Sequence, residues 1–312
     1  MLAVINTPDD KAAVAIREVP EPSPAAGEAL VAVDAFSVNR GELVLLKSRA
    51  AGWQPGQDIA GRILRQAADG SGPPAGARVV ALVEGGGWAE RVAARTDRMA
   101  VLAGAVRSED AAALPIPGLT ALRALRRGGA ILGKRVMITG ATGIVGSLGV
   151  ELGAAAGARI TAVGRKDAHA DLRARGAHAT VETPTDAEGP FDLILESVGG
   201  VSLRGAIERV APHGAIVVYG NTSGEPTPVS FTDFRRAQNA RIESLFHFTA
   251  EPPSAFAADL AILAEMLARK TIAPTISGTH GWSALASVIA ALRSGRFRGK
   301  PVFRIAATQA AR

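Results

Sequence analysis

The sequence contains no cysteine and one tyrosine (Tyr219), and aromatic residues make up 4% of its 312 residues. Without thiols there can be no disulfides, thiolate zinc sites, iron–sulfur clusters or cysteine nucleophiles. The five histidines (His169, His178, His213, His247 and His280) are scattered without ligand spacing, so no dedicated metal site is expected. No run of roughly 18 apolar residues exists, which leaves no membrane-spanning segment. The N-terminal stretch has an acid by Asp9 and no apolar core flanked by positive charge, so a soluble, cytoplasmic chain is expected. Acids are outnumbered, 29 Asp+Glu against 35 Lys+Arg, for a net charge of +6 and a pI near 10.3. The bases come as pairs (Arg126–Arg127, Arg165–Lys166, Arg235–Arg236) and as Arg296, Arg298 and Lys300, with no basic tail or arginine-rich helix. Dispersed bases point to a solvated surface rather than a nucleic-acid partner.

What is present describes an ordinary globular chain, 47% hydrophobic and 21% charged. Its length exceeds what one hydrophobic core usually serves, so two domains are expected. Up to about residue 115, short apolar runs (12–19, 29–35, 78–83 and 88–93) alternate with Pro/Gly-rich turns, the pattern of a compact β-rich domain. Beyond Pro115, apolar strands at 136–139, 160–163, 191–196 and 215–219 alternate with helical patterns at 145–155, 168–175 and 203–210. Strands apolar on both faces, each followed by a helix, predict a parallel sheet covered on two sides. Helices at 254–270 and 282–294 and a last strand at 300–305 complete the chain.

One stretch of this alternating region carries chemistry. Residues 134–149 read KRVMITGATGIVGSLG. A buried strand delivers the chain to Gly140, Ala141, Thr142, Gly143, Ile144, Val145 and Gly146, where a helix begins. Glycines let the backbone turn sharply and approach a pyrophosphate closely, and the helix N-terminus adds unpaired N–H donors and partial positive charge. The spacing is G-x-x-G-x-x-G, a variant of the dinucleotide fingerprint, and a second strand follows at the expected interval. That strand ends at Val163, Gly164, Arg165 and Lys166. An NAD site usually has an acid there; none occurs at 162–166, and Arg165 with Lys166 suits a 2′-phosphate instead. NADPH is the expected cofactor.

With these motifs in place, the chain resembles the zinc-independent quinone oxidoreductase branch of the medium-chain dehydrogenase/reductase superfamily. The likeness rests on SVNRGE (37–42), PGQDIAG (55–61), GARVVAL (76–82), AALPIPGLTALRAL (112–125), ITGATGIVGSLGVELGAAAGA (138–158), DLILESVGG (192–200), GAIVVYG (214–220) and GKPVF (299–303), in that order over nearly the whole chain. It implies an α/β fold in which a Rossmann-type doubly wound parallel sheet, at 116–245, is inserted into a GroES-like β-rich catalytic domain formed by 1–115 and 246–312. It also implies residue roles. Thr120 would close over the nicotinamide, and Ser197, Val198, Gly199, Tyr219, Gly220, Asn221 and Phe246 would line the cofactor at the sheet edge. Arg298 and Lys300 would contact the cofactor again. Asn39, Gln57 and His247 are the candidates for the substrate side, the first two as hydrogen-bond donors to a carbonyl.

The departures from the pattern are equally informative. Zinc-dependent relatives carry a cysteine near Ser37–Asn39, Gly-His-Glu where Gly56, Gln57 and Asp58 stand here, and a four-cysteine lobe around 85–100. This chain has none of these ligands, so a zinc-free reaction is expected. Tyr219 being the sole tyrosine leaves the catalytic domain without a tyrosine proton donor, and solvent is the expected proton source. The resemblance therefore implies hydride transfer from NADPH to a quinone or α,β-unsaturated carbonyl, by an enzyme that is often a homodimer. Two alternatives stay open at this point: a pathway-specific reductase of secondary metabolism, and an NADPH-binding structural or RNA-binding protein with little turnover.

Overall fold

The computed structural model describes residues 1–9, 12–246, 255–294 and 299–305. In chain order the first elements are β1 (Leu2–Thr7), β2 (Ala13–Glu18), β3 (Glu28–Ser37), α1 (Arg40–Ser48), β4 (Asp58–Arg65), β5 (Arg78–Leu82), β6 (Arg91–Arg95), β7 (Met99–Val101) and α2 (Ser108–Ala112). The middle of the chain forms α3 (Pro115–Arg126), β8 (Arg135–Ile138), α4 (Ile144–Ala155), β9 (Arg159–Val163), α5 (His169–Ala174), β10 (Ala179–Val181), β11 (Phe191–Glu196), α6 (Gly200–Arg209), β12 (Val210–Val218) and β13 (Arg241–Ser244). The last elements are α7 (Ala255–Ala268), β14 (Ile276–Gly281), α8 (Leu285–Arg293) and β15 (Lys300–Arg304). The chain divides into two compact units, 1–116 with 251–312, and 117–250.

The first unit is built on a sheet of order β14-β15-β3-β4-β5-β7, with β6 also pairing β3 and a separate β1–β2 hairpin. Its hub is β3, whose sequence EALVAVDAFS alternates half-buried and buried side chains until its last residues are all enclosed. Strand β15, from the far end of the sequence, runs antiparallel to β3 with Phe303 opposite Phe36. Three aromatics stack in this core: Phe36 lies on Phe303 at 5.1 Å and on Trp88 at 5.8 Å, and the Trp88 indole N–H donates to the Ser37 carbonyl at 3.2 Å. Each such ring pair contributes about 1 kcal/mol beyond the area it buries. The strand expected at 88–93 instead begins at Arg91. Trp88 stands ahead of it, its N–H donating to the Pro55 carbonyl and its own carbonyl accepting from Val4, beside an antiparallel bridge between Ala89 and Ala3 of β1.

The second unit is a parallel sheet of order β10-β9-β8-β11-β12-β13, every pairing parallel. Val136, Met137 and Ile138 of β8 and Leu193, Ile194 and Leu195 of β11 are almost wholly enclosed, as strands covered on both faces must be. The chain leaves β8 toward β9 and β10 on one side and later returns to build β11, β12 and β13 on the other. The connection therefore reverses between β8 and β11. In open α/β sheets the ligand crevice lies outside the carboxyl ends of the strands at such a reversal.

Candidate functional site

Four loops meet the carboxyl edge of the second unit's sheet, one after each of β8, β9, β11 and β12. The loop after β8 holds the glycines. Gly140 has φ +56°, a left-handed conformation that favours glycine, and a Cβ there would lie 2.7 Å from Ser197 Oγ. At Gly146 a Cβ would lie 2.4 Å from the Gly140 carbonyl oxygen, so this glycine lets α4 pack directly on the turn. Gly143 differs from both. Its backbone is ordinary (φ −77°, ψ 164°), it is exposed, and an added Cβ would meet only the Gly140 oxygen, at 3.2 Å. As the N-cap of α4 it offers no capping side chain, so the first-turn N–H groups of that helix have no side-chain acceptor at their cap. Ala141 is buried, donating its N–H to the Val163 carbonyl, while Thr142, Ile144 and Val145 are half-buried around the turn. An open, uncapped helix N-terminus beside a glycine without Cβ suits a pyrophosphate.

At the end of β9, Gly164 packs under Thr142, whose methyl would lie 2.9 Å from an added Cβ. Arg165 and Lys166 follow on the surface. Arg165 is 55% exposed, with Nε 3.2 Å from an Asp167 carboxylate oxygen, which steadies the guanidinium while its outer edge faces solvent.

The loop after β11 is the most tightly held. Ser197 donates its N–H to Thr139 Oγ1 at 3.1 Å, and Val198 and Gly199 donate theirs to Glu196. Their carbonyls are taken as well: Ser197 by the Thr222 N–H and hydroxyl, Val198 by Ser223, Gly199 by Ser202 and Leu203. Gly199 sits at φ +77°, and a Cβ there would collide with Asn221 Oδ1 at 2.1 Å. Asn221 and Gly220 thus close over this loop from the end of β12. Tyr219, beside them, has its hydroxyl buried, and burial pushes its phenol up to about 12, so it stays protonated across the neutral range. Thr120 is buried on α3 and Phe246 is exposed past β13. His247 and Arg298 lie outside the described residues.

The remaining expected site residues that the structure describes belong to the first unit. Asn39, Glu42, Asp58 and Lys300 form one buried polar cluster, each no more than 8% exposed. The Lys300 ammonium donates to Asn39 Oδ1 and, at 2.9 Å, to Asp58 Oδ2. Asn39 Nδ2 donates to Asp58 Oδ2 at 2.9 Å and Glu42 Oε2 at 3.4 Å, and the Asn39 N–H donates to Glu42 Oε2 at 2.7 Å, capping α1. Asp58 Oδ1 accepts the Ile116 N–H at 2.9 Å. The Asn39 amide, the expected donor to a substrate carbonyl, is engaged at both ends inside the core. Lys300, expected to contact the cofactor, here donates to the Asp58 carboxylate. Gln57 is buried, with its backbone carbonyl accepting from Val83. Burial drives the Glu42 carboxyl up to about 8. Sequence reasoning missed both Glu42 and Glu196; the only trace of Glu42 was its place three residues after Asn39, the spacing of a capping box.

Among known proteins, a family model described as zinc-binding dehydrogenase matches residues 167–303. The chain is similar to the chloroplastic quinone-oxidoreductase QR1 of Triphysaria versicolor, 29% identical over 62% of this chain and 63% of that one. It is also similar to the mitochondrial NAD(P)H oxidoreductase RTN4IP1 of Bos taurus, 38% identical over 29% of this chain and 26% of that one. These matches cover less than two thirds of the relatives' own lengths. A mycobacterial protein solved in complex with NADPH shares the fold, with a TM-score of 0.85 over 97% of this chain and 99% of that one, at 19% identity. The zinc named by the family model does not fit the donors present. There is no cysteine, Asp58 is saturated by Lys300, Asn39 and Ile116, and among the described residues no three His, Asp or Glu side chains are grouped to hold a metal ion.

Proposed function

We propose that the chain is a zinc-independent, NADPH-dependent oxidoreductase of the quinone oxidoreductase branch of the medium-chain dehydrogenase/reductase superfamily, acting on a quinone or an α,β-unsaturated carbonyl. Its likeness to quinone-oxidoreductase QR1 and the family model over 167–303 support this reading. The observation that carries this is the uncapped N-terminus of α4 behind the bare Gly143, at the point where the sheet's connection reverses. Bound there, the nicotinamide would supply a hydride. The chain's own part is binding and orientation. The first-turn N–H groups of α4 hold the pyrophosphate, and Arg165 and Lys166 read the 2′-phosphate. The braced Ser197–Gly199 loop, with Tyr219, Gly220 and Asn221 beside it, lines the nicotinamide half. Positioning of this kind supplies much of the barrier reduction when no covalent step is needed. Solvent is the proposed proton source, since no acid side chain is assigned to the substrate.

Titration with NADPH and NADH, followed by a panel of quinone and enone acceptors, tests this reading. Tighter binding of NADPH and its oxidation by at least one acceptor class are expected. Binding of neither nucleotide would overturn the reading, and so would NADPH binding without turnover alongside salt-sensitive RNA binding.

A further inference from the structure

Building on the dinucleotide site proposed above, we propose that Glu196 is a positioning residue: its buried carboxylate fastens the nicotinamide-side loop to the root of the phosphate-side loop and so sets how tightly the nicotinamide half is held. Glu196 is the last residue of β11 and is fully buried. The chain places a carboxylate where the preceding Leu193, Ile194 and Leu195 continue an apolar strand. A buried ionised group is costly unless hydrogen bonds replace its water. Here every partner is a neutral donor: the Val198 N–H at 3.1 Å, the Gly199 N–H at 3.0 and 3.2 Å to the two oxygens, and the Thr139 hydroxyl at 3.1 Å.

Thr139 makes this a link between two loops rather than a local turn. It sits between β8 and Gly140, and its Oγ1 accepts the Ser197 N–H at 3.1 Å. All three N–H groups of Ser197, Val198 and Gly199 therefore end on the Glu196–Thr139 pair, while their carbonyls are held by 202–203 and 222–223. No backbone polar group of this loop is left to face a ligand. The loop can present only the half-buried Ser197 and Val198 side chains, and their direction is set by the carboxylate beneath. Ser197 Oγ lies 2.7 Å from where a Cβ on Gly140 would stand, so the nicotinamide-side loop packs against the phosphate-side turn.

Two nearly isosteric variants separate positioning from general support of the fold. Glu196→Gln turns an NH2 group toward N–H donors in place of one acceptor oxygen, and Thr139→Val removes the linking hydroxyl at equal volume. For each variant the Kd is measured for NADPH and for 2′-phospho-ADP-ribose, which lacks the nicotinamide. NADPH affinity is expected to fall about tenfold or more, as for loss of a charge-assisted buried hydrogen bond. The truncated ligand should bind within about twofold of wild type. Thr139→Ser, which keeps the hydroxyl, should restore NADPH affinity. Equal weakening of both ligands would reduce Glu196 to a structural support and overturn the proposal, as would no change in either. Should Glu196→Gln fail to fold, the same split in Thr139→Val decides. A wild-type chain that bound neither ligand would instead sink the dinucleotide site itself, which keeps the two failures apart.

Discussion

At the scale of single residues, charge in different surroundings plays opposite parts. Arg165 is more than half exposed, and against an exposed carboxylate such as Asp167 it contributes little. Its proposed part is to recognise the 2′-phosphate, for which a guanidinium offers a bidentate fork. Arg165→Ala is expected to weaken NADPH binding about tenfold while leaving NADH binding nearly unchanged. Equal losses for the two nucleotides would remove the 2′-phosphate assignment. Glu42 shows the reverse case, a carboxyl with no exposure whose Oε1 has no hydrogen-bond partner among the described residues. Desolvation raises it from 4.5 to about 8. Between those values the folded chain keeps a proton that the unfolded chain has released, so stability falls as pH rises through this window and levels off above it. The slope reaches about 1.4 kcal/mol per pH unit. Urea midpoints measured from pH 5 to 9 should decline accordingly, and Glu42→Gln, which keeps an acceptor for the Asn39 N–H, should flatten the decline. An unchanged slope in the variant would show that another group titrates.

At the scale of elements, the turn from β8 into α4 assigns its three glycines separate duties. Gly140 makes the turn, Gly146 lets the helix pack on it, and Gly143 leaves an open face. The last carries the smallest steric penalty of the three, since its φ and ψ suit any residue and its Cβ would meet a single atom, the Gly140 oxygen, at 3.2 Å. Gly143→Val is therefore expected to abolish cofactor binding at a stability cost of about 1 kcal/mol, from replacing glycine at an N-cap. Calorimetric melting beside nucleotide titration checks both halves, and retained affinity would refute the phosphate-loop reading. The turn itself was legible in the sequence, because buried strand, glycine spacing and helical periodicity all lie within one short segment. Helix α1 was not. Arg40–Ser48 reads as RGELVLLKS, a mixed stretch without clean periodicity, and its cap is the side chain of Glu42, inside the helix, bonded to the Asn39 N–H. Strand β6 begins three residues later than expected because Trp88 and Ala89 lie against β1, through an Ala3–Ala89 bridge, before the chain pairs with β3 from Arg91.

At the scale of the whole molecule, the absence of thiols and the hydrogen-bonded cluster around Asp58 support the proposed zinc-free reaction. Exhaustive dialysis against EDTA is expected to leave nucleotide binding and turnover unaltered, and a loss of activity that zinc restores would contradict this. Among the described residues no helix is long and apolar enough to cross a membrane. By itself the sequence determined the α/β class, the parallel sheet and the place of the glycine-rich turn between β8 and α4, because each follows from periodicity and turn chemistry within a few tens of residues. Only the tertiary structure decided what Asn39, Lys300 and Glu196 do. Lys300 reaches Asn39 across 261 positions of sequence, and Glu196 meets Thr139 across 57. A buried polar group takes its role from whichever donors and acceptors the fold brings within about 3 Å, and no local pattern records which those will be.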